Sequence, residues 1–173
     1  KQLLTAFYLF RTMKKFDYYI FIDYSEDLIG YNIIAEDKIE EILPRISKIH
    51  HYKERRHKKQ YIASIRKLMI KNNIESFLLE YKIENIRANA LIFVRVLEFV
   101  KKYDNCFIFI SIDNNQYKAF IKLFNLFSHK ENVFIVRESD LKKNSLEYRL
   151  SLIIDNMINI KRIKESKKTH QTY

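Results

Sequence analysis

In 173 residues the chain has one glycine, one proline, one cysteine and no tryptophan. A lone glycine, Gly30, cannot supply a P-loop or a G-x-G-x-x-G dinucleotide fingerprint, since both need several glycines to let backbone approach phosphate. A lone cysteine, Cys106, excludes an intrachain disulfide, a zinc ribbon and a C-x-x-C redox pair. It precedes an apolar run, where a buried, inert thiol is expected, and a reducing, cytoplasmic setting follows from that usage. Membrane-length apolar runs are missing as well. Leu3–Phe10 is apolar but for Thr5, and its eight residues fall far short of the roughly 20 needed to span a bilayer. Arg11, Lys14 and Lys15 follow it where a secretory signal would place small residues. Residues 1–16 are therefore expected to be an N-terminal helix or extension, with Met13 a candidate start. No serine has the glycine-flanked elbow of a hydrolase nucleophile.

Hydrophobic residues make up 47% and charged residues 31%, the balance of one globular domain. The net charge of +11 is unevenly spread. Residues 1–15 hold four basic residues and no acid, residues 45–59 hold seven against Glu54, and residues 161–168 hold five against Glu165. The rest of the chain carries a slight acid excess. Basic appendages on a mildly acidic body suit contact with a polyanion, nucleic acid before anionic membrane. Residues 161–173 are expected to form a basic mobile tail.

Residues 18–23 are β-branched and aromatic throughout until Asp23, as in a central strand covered on both faces. Ser25, Glu26, Asp27 and Gly30 supply turn chemistry, and Tyr31–Ala35 return as the second strand of a hairpin. Asp37, with Glu40 three residues on, has capping-box spacing. A helical stripe broken by Pro44 follows, then a second stripe to Lys71, so a helical insert occupies about 37–73. Beyond it, a strand over 76–81, a helix over 84–102, a strand over 107–112, a helix over 115–128, a strand over 133–136 and a helix from Asn144 alternate regularly. The order is an α/β layer fold with a mixed sheet of about five strands, over residues 17–160.

Acids at the carboxyl ends of apolar strands carry the chemical signal. Asp23 ends the first strand, Glu80 the third and Asp113 the fourth, at the sheet edge where α/β folds bind ligands. Neighbouring carboxylates raise one another's pKa, and divalent ions relieve the repulsion. Hard oxygen donors favour Mg²⁺ or Mn²⁺, and a pair of such ions can activate water and hold the leaving oxygen of a phosphodiester. Asp113 with Gln116 three residues on also reads as a helix cap. Asp155 lies just off the apolar stripe of the last helix. His50, His51 and His57 sit amid Lys and Arg, where positive charge opposes metal binding. Tyr24, Tyr52 and Tyr61 are the aromatic rings placed to stack on bases.

An aspartate in the first strand, a hairpin, an acid at the third strand, an aspartate after the fourth and an acid in the final helix is an order that resembles the ribonuclease H-like superfamily. Phe21-Ile22-Asp23-Tyr24-Ser25-Glu26 is similar to an F-I-D-E-S-G first strand found in uncharacterised members. Glu80-Tyr81-Lys82 resembles an E-L-K segment, and Leu150–Asp155 loosely resembles L-Q-L-A-D. Tyr24 and Glu26 depart from that pattern. The resemblance implies a ribonuclease H-like sheet, a two-ion Mg²⁺ or Mn²⁺ site on Asp23, Glu80, Asp113 and Asp155, and nuclease-like phosphodiester hydrolysis. Lys53, Arg55, Arg56, Lys58, Lys59, Lys82 and Arg87 are the residues expected to hold a DNA or RNA backbone. The alternatives are a non-catalytic nucleic-acid-binding protein on the same fold, and a membrane-surface or scaffold protein.

Overall fold

The computed structural model describes residues 16–127, 132–141, 143 and 145–169. A five-stranded mixed sheet runs through its middle: β1 (Tyr18–Ser25), β2 (Leu28–Ala35), β3 (Glu80–Asn85), β4 (Cys106–Ser111) and β5 (Val133–Arg137), in the spatial order β3-β2-β1-β4-β5. β1 pairs antiparallel with β2 and parallel with β4. β2 pairs antiparallel with β3, and β4 parallel with β5. A mixed five-stranded sheet flanked by helices, with helical residues inserted after the first hairpin, agrees with the α/β layer order expected from the sequence.

Helices α1 (Ile39–Arg45), α2 (Lys58–Lys71) and α5 (Leu146–Thr169) cover one face of the sheet, and α3 (Asn89–Lys102) with α4 (Asn114–Phe127) the other. The alternation of β1 divides the core accordingly. Tyr19 and Phe21 pack under α5, while Ile20 and Ile22 face α3 and α4. Asp23 continues the first row, so its carboxylate points toward α5. Phe21 meets Phe109 at 5.9 Å between ring centroids and Phe93 meets Phe120 at 5.3 Å, so aromatic pairs fill both layers.

The first hairpin turns at Glu26, which takes a left-handed φ of 57°, and at Asp27. Gly30 is not in the turn. It lies inside β2 opposite Asp23, where a Cβ would meet the Lys82 carbonyl oxygen and Ile83 Cγ1 at 2.9 Å and Ile154 Cδ1 at 3.2 Å. The missing side chain lets α5 close on the sheet beside Asp23. Gly30→Ala is expected to cost about 1–3 kcal/mol through overpacking, a Tm loss of roughly 2–12 °C for a chain of this length. A melting curve unchanged by the substitution would contradict that packing.

Several local expectations shift. Ile74–Phe77 form a 3₁₀ turn that buries Ile74 and Phe77 beneath the insert, so β3 starts at Glu80 instead of ending near it. The strand displaces the start of the next helix, and α3 begins at Asn89. Asp37 caps nothing with its side chain and lies in a 3₁₀ turn over Glu36–Lys38. Asn144 falls outside the described residues; the Ser145 hydroxyl accepts from Tyr148 N–H at the start of α5. That helix runs to Thr169, past residue 160, so the first part of the expected tail is helical. The expected N-terminal element lies outside the described residues except for Phe16, which packs on Phe107 and Phe134.

Candidate active site

The parallel strands β1, β4 and β5 end together, and the chain brings three carboxylates to that edge from separate elements. Asp23 belongs to β1 and pairs in register with Ser111, the last residue of β4. Glu138 follows β5 directly, in a 3₁₀ turn over Glu138–Asp140. Asp155 projects from α5, which crosses the sheet here. Asp23 and Asp155 are both buried.

Each carboxylate has a local anchor. Asp23 Oδ1 accepts the backbone N–H of Tyr24 at 2.7 Å. The Ser111 hydroxyl donates to Glu138 Oε2 at 2.6 Å. Asp155 Oδ1 accepts from Asn159 Nδ2 at 3.0 Å, and Asn159 Oδ1 accepts from the Ser25 hydroxyl, tying the helix to the end of β1. Asp155 Oδ2 accepts the backbone N–H of Tyr52 at 3.0 Å, a donor from the insert. His51, from the same segment, places Nδ1 3.9 Å from Asp155 Oδ2 and Nε2 3.7 Å from Glu138 Oε1. The imidazole thus reaches both acids.

Burial pushes the Asp23 carboxyl well above the ordinary aspartate value, and the charges of Asp155 and Glu138 push it further. The N–H of Tyr24 and the hydroxyl of Ser111 offset only part of this. Asp155 is raised as well, chiefly by burial, with His51, the Tyr52 N–H and Lys53 pulling the other way. Two buried aspartates whose ionised forms are disfavoured by burial and by neighbouring acids are a site with a deficit of positive charge.

The structure separates the four acids named from the sequence. Asp23 and Asp155 face one another electrostatically. Asp113 lies at the rim and caps α4, accepting the N–H groups of Asn115 and Gln116 through Oδ1 at 2.8 and 3.0 Å. It shares a shallow cleft of about 250 Å³ with Ser111, Glu138, Arg137 and Lys53. Glu80 is elsewhere. It pairs with Ile33, which pairs with Ile20, three residues below Asp23, and those partners face α3 and α4. Its carboxylate accepts the Tyr31 hydroxyl on that opposite face. In the row of Asp23 and Gly30 the third strand presents Ile83 instead of an acid.

Among the basic candidates, Lys53 lines the cleft. Arg55 lies over the Tyr61 ring at 5.5 Å, Lys58 over Tyr52 at 5.2 Å, and Arg56 and Lys59 are exposed beside them. Lys82 is on the Glu80 face, paired with Glu84 at 3.2 Å, and Arg87 is exposed just before α3. Glu138 and Ser111 are site residues that the sequence does not single out, and His51 is one of three histidines set aside because Lys and Arg surround them. Glu138 obeys the same strand-end rule as Asp23, one residue after Val133–Arg137. Only the insert's return to α5 brings His51 to the acids, and the local sequence carries no sign of that meeting.

Three carboxylates are a donor set suited to a hard divalent cation, and the His51 imidazole stands against two of them. Among the described residues no group of three acidic, histidine or cysteine side chains has the spacing to hold one as it stands. Both oxygens of Asp155 are engaged by Asn159 and the Tyr52 N–H, and one oxygen of Glu138 by Ser111. The chemistry of the set fits such an ion, and its positions do not yet converge on one.

No protein-family model matches the chain, and no curated protein matches it. Among solved structures, similar chains include one from the PCNA:RNase HII complex of Archaeoglobus fulgidus, at a TM-score of 0.44 and 10% identity, over 91% of this chain and 77% of that one. The strand order and register above, and not that similarity, define the fold. Among the described residues no helix is long and apolar enough to cross a membrane.

Proposed function

We propose that the protein is a divalent-cation-dependent phosphodiesterase acting on nucleic acid, with Asp23, Asp155 and Glu138 as its acid set and Asp113 at the rim. The observation that carries this reading is the buried Asp23 carboxylate, disfavoured by burial and by two further acids at the sheet edge where strands β1, β4 and β5 end. Mg²⁺ or Mn²⁺ held by these carboxylates would supply an activated water and charge relief at the leaving oxygen. The chain's own residues position the set. Ser111 fixes the rotamer of Glu138, Asn159 fixes that of Asp155, and burial under α5 keeps Asp23 from bulk water. Lys53 reaches the cleft, and the cations that follow it along the insert offer phosphate contacts leading away from the acids.

Purified protein incubated with single- and double-stranded DNA and RNA is expected to cut at least one of them with Mn²⁺ or Mg²⁺ and none with EDTA. Absence of cleavage across that panel overturns the enzymatic reading. The engagement of both Asp155 oxygens favours the second reading, a non-catalytic binder on the same fold. That reading expects binding without cleavage.

Both readings share one electrostatic expectation. Affinity for an oligonucleotide should fall with salt, log K against log salt having a slope of about −0.7 to −0.9 per phosphate contact. Neutralising Lys53, Arg56, Lys58 and Lys59 together should flatten that slope by roughly 3 if all four touch phosphate. A slope unaltered by the fourfold change would move the binding surface away from the insert.

A further inference from the structure

We propose that His50–Glu54 is a strap that closes the acid site, standing where a cation would bind, and that it must lift before one can enter. The inference rests on the metal-dependent reading above. Three of the strap's contacts are made to the acids: the His51 ring reaches Asp155 and Glu138, and the Tyr52 N–H occupies Asp155 Oδ2. Ligating oxygens around Mg²⁺ lie about 2.0–2.1 Å from the ion. The ring, whose Nδ1 accepts the Lys53 N–H at 3.2 Å, lies within 4 Å of both carboxylates, and Asp155 and Glu138 cannot share an ion at that range until it moves aside.

A second set of contacts latches the strap without involving the acids. Tyr61, on α2, donates its hydroxyl to the His50 carbonyl at 2.6 Å and accepts the His50 N–H at 2.9 Å. Asn156, on α5, donates to the same carbonyl at 2.9 Å. Lys143 donates to Glu54 at 2.9 Å from the far side. The strap's own backbone bonds are local, Glu54 N–H to the His51 carbonyl and Arg55 N–H to that of Tyr52, and none joins the sheet. Lifting it exposes the Tyr52 ring, which is buried beneath Lys58 and Arg162 but belongs to neither core layer, and breaks no sheet hydrogen bond.

The strap itself carries Lys53, which lines the cleft beside Glu138, and leads on into Arg55 and Arg56. A phosphodiester chain that draws those cations outward would draw His51 and the Tyr52 N–H off Asp155 with them. Nucleic acid and the divalent ion would then favour the same open state, and each would tighten binding of the other by the same factor. Breaking the latch should do the same for the ion alone, because apparent affinity is reduced by the closed fraction.

The test is calorimetric titration of the full chain with Mn²⁺ alone, comparing wild type with Tyr61→Phe and, as a second route, with His51→Ala. Tyr61→Phe removes both hydroxyl bonds and touches neither the acids nor the strap's side chains. Each variant is expected to bind Mn²⁺ about tenfold tighter, equivalent to about 1.4 kcal/mol. Hydrogen exchange at the Tyr52 amide should quicken in Tyr61→Phe without any metal. Mn²⁺ affinity equal to or weaker than wild type in both variants overturns the strap and leaves the metal-dependent reading standing. Mn²⁺ uptake by none of the three proteins overturns both.

Discussion

Asp23→Asn is expected to lower cation-dependent cleavage by at least about 10²-fold, and to raise the melting temperature of the metal-free protein at neutral pH. The two effects have one cause. Asp23 is buried and faces Asp155 and Glu138, so its negative charge is costly in the folded chain unless a cation offsets it. Asparagine keeps the oxygen that accepts the Tyr24 N–H and removes the charge. Each kcal/mol of relieved repulsion is worth about 2–4 °C in a chain of this size. A loss of cleavage accompanied by a lower Tm would mean that the substitution disrupts the fold, and the assignment would lose its support.

The same shift fixes the direction of the pH dependence. The folded-state pKa of Asp23 lies well above the ordinary aspartate value, and that of Asp155 is also raised. The stability gained from holding these groups neutral is complete below about pH 4 and is lost as pH rises through their folded-state values. Metal-free protein should therefore lose stability on the way from mildly acid to neutral pH, and Mn²⁺ should restore it. His50 acts in the opposite sense. Burial and the nearby Arg55 lower its pKa, so its contribution is present above 6.5 and fades as pH falls through the lowered value. Subtracting the Asp23→Asn profile from that of wild type cancels His50 and leaves the titration of Asp23 together with its coupling to Asp155. A difference that does not grow with pH would contradict the proposed electrostatics.

Asp23 was legible because the strand that carries it is. Five apolar residues in a row from Tyr18 to Ile22 mark a strand covered on both faces, and the acid that ends the run has no local helix to cap. The alternating order of the later elements gave the layer arrangement for the same reason, since periods of about 2 and 3.6 survive without tertiary information. Glu80 shows where that information ends. Ser76–Tyr81 is more apolar than Glu80–Asn85, yet the first segment turns to seal the core under the insert and the second pairs with β2. That shift of the strand along the chain moved Glu80 from the end of a strand to its beginning. Register with β2 then put its side chain on the other face, since neighbouring residues of a strand point to opposite sides. Glu138 was missed for the converse reason. β5 is a short edge strand, only partly buried, so its end carried less weight than those of β1 and β4. His51 depends wholly on long-range contact with a helix near the other end of the chain, and no periodicity encodes such a meeting.

Glu138→Gln and Glu80→Gln should consequently separate. Glu138 sits with Asp23 and Asp155 at the sheet edge, and its charge is among those that raise both their pKa values. Glutamine there can still accept from the Ser111 hydroxyl, so the turn after β5 keeps its shape while one anionic ligand is lost. Cation-dependent cleavage should fall by about 10²-fold or more, and Mn²⁺ affinity with it. Ser111→Ala, which frees the rotamer of Glu138 and leaves its charge, should cost less, about 10- to 100-fold. Glu80→Gln should cut at a rate within about twofold of wild type, because the Tyr31 contact is on the far face and remote substitutions act independently. Its effect belongs to stability, at about 0.5–1.5 kcal/mol for one weakened hydrogen bond. Glu80→Gln inactive with Glu138→Gln fully active would move the acid site to the α3 face, and the assignment of Asp23, Asp155 and Glu138 as one set would not survive it.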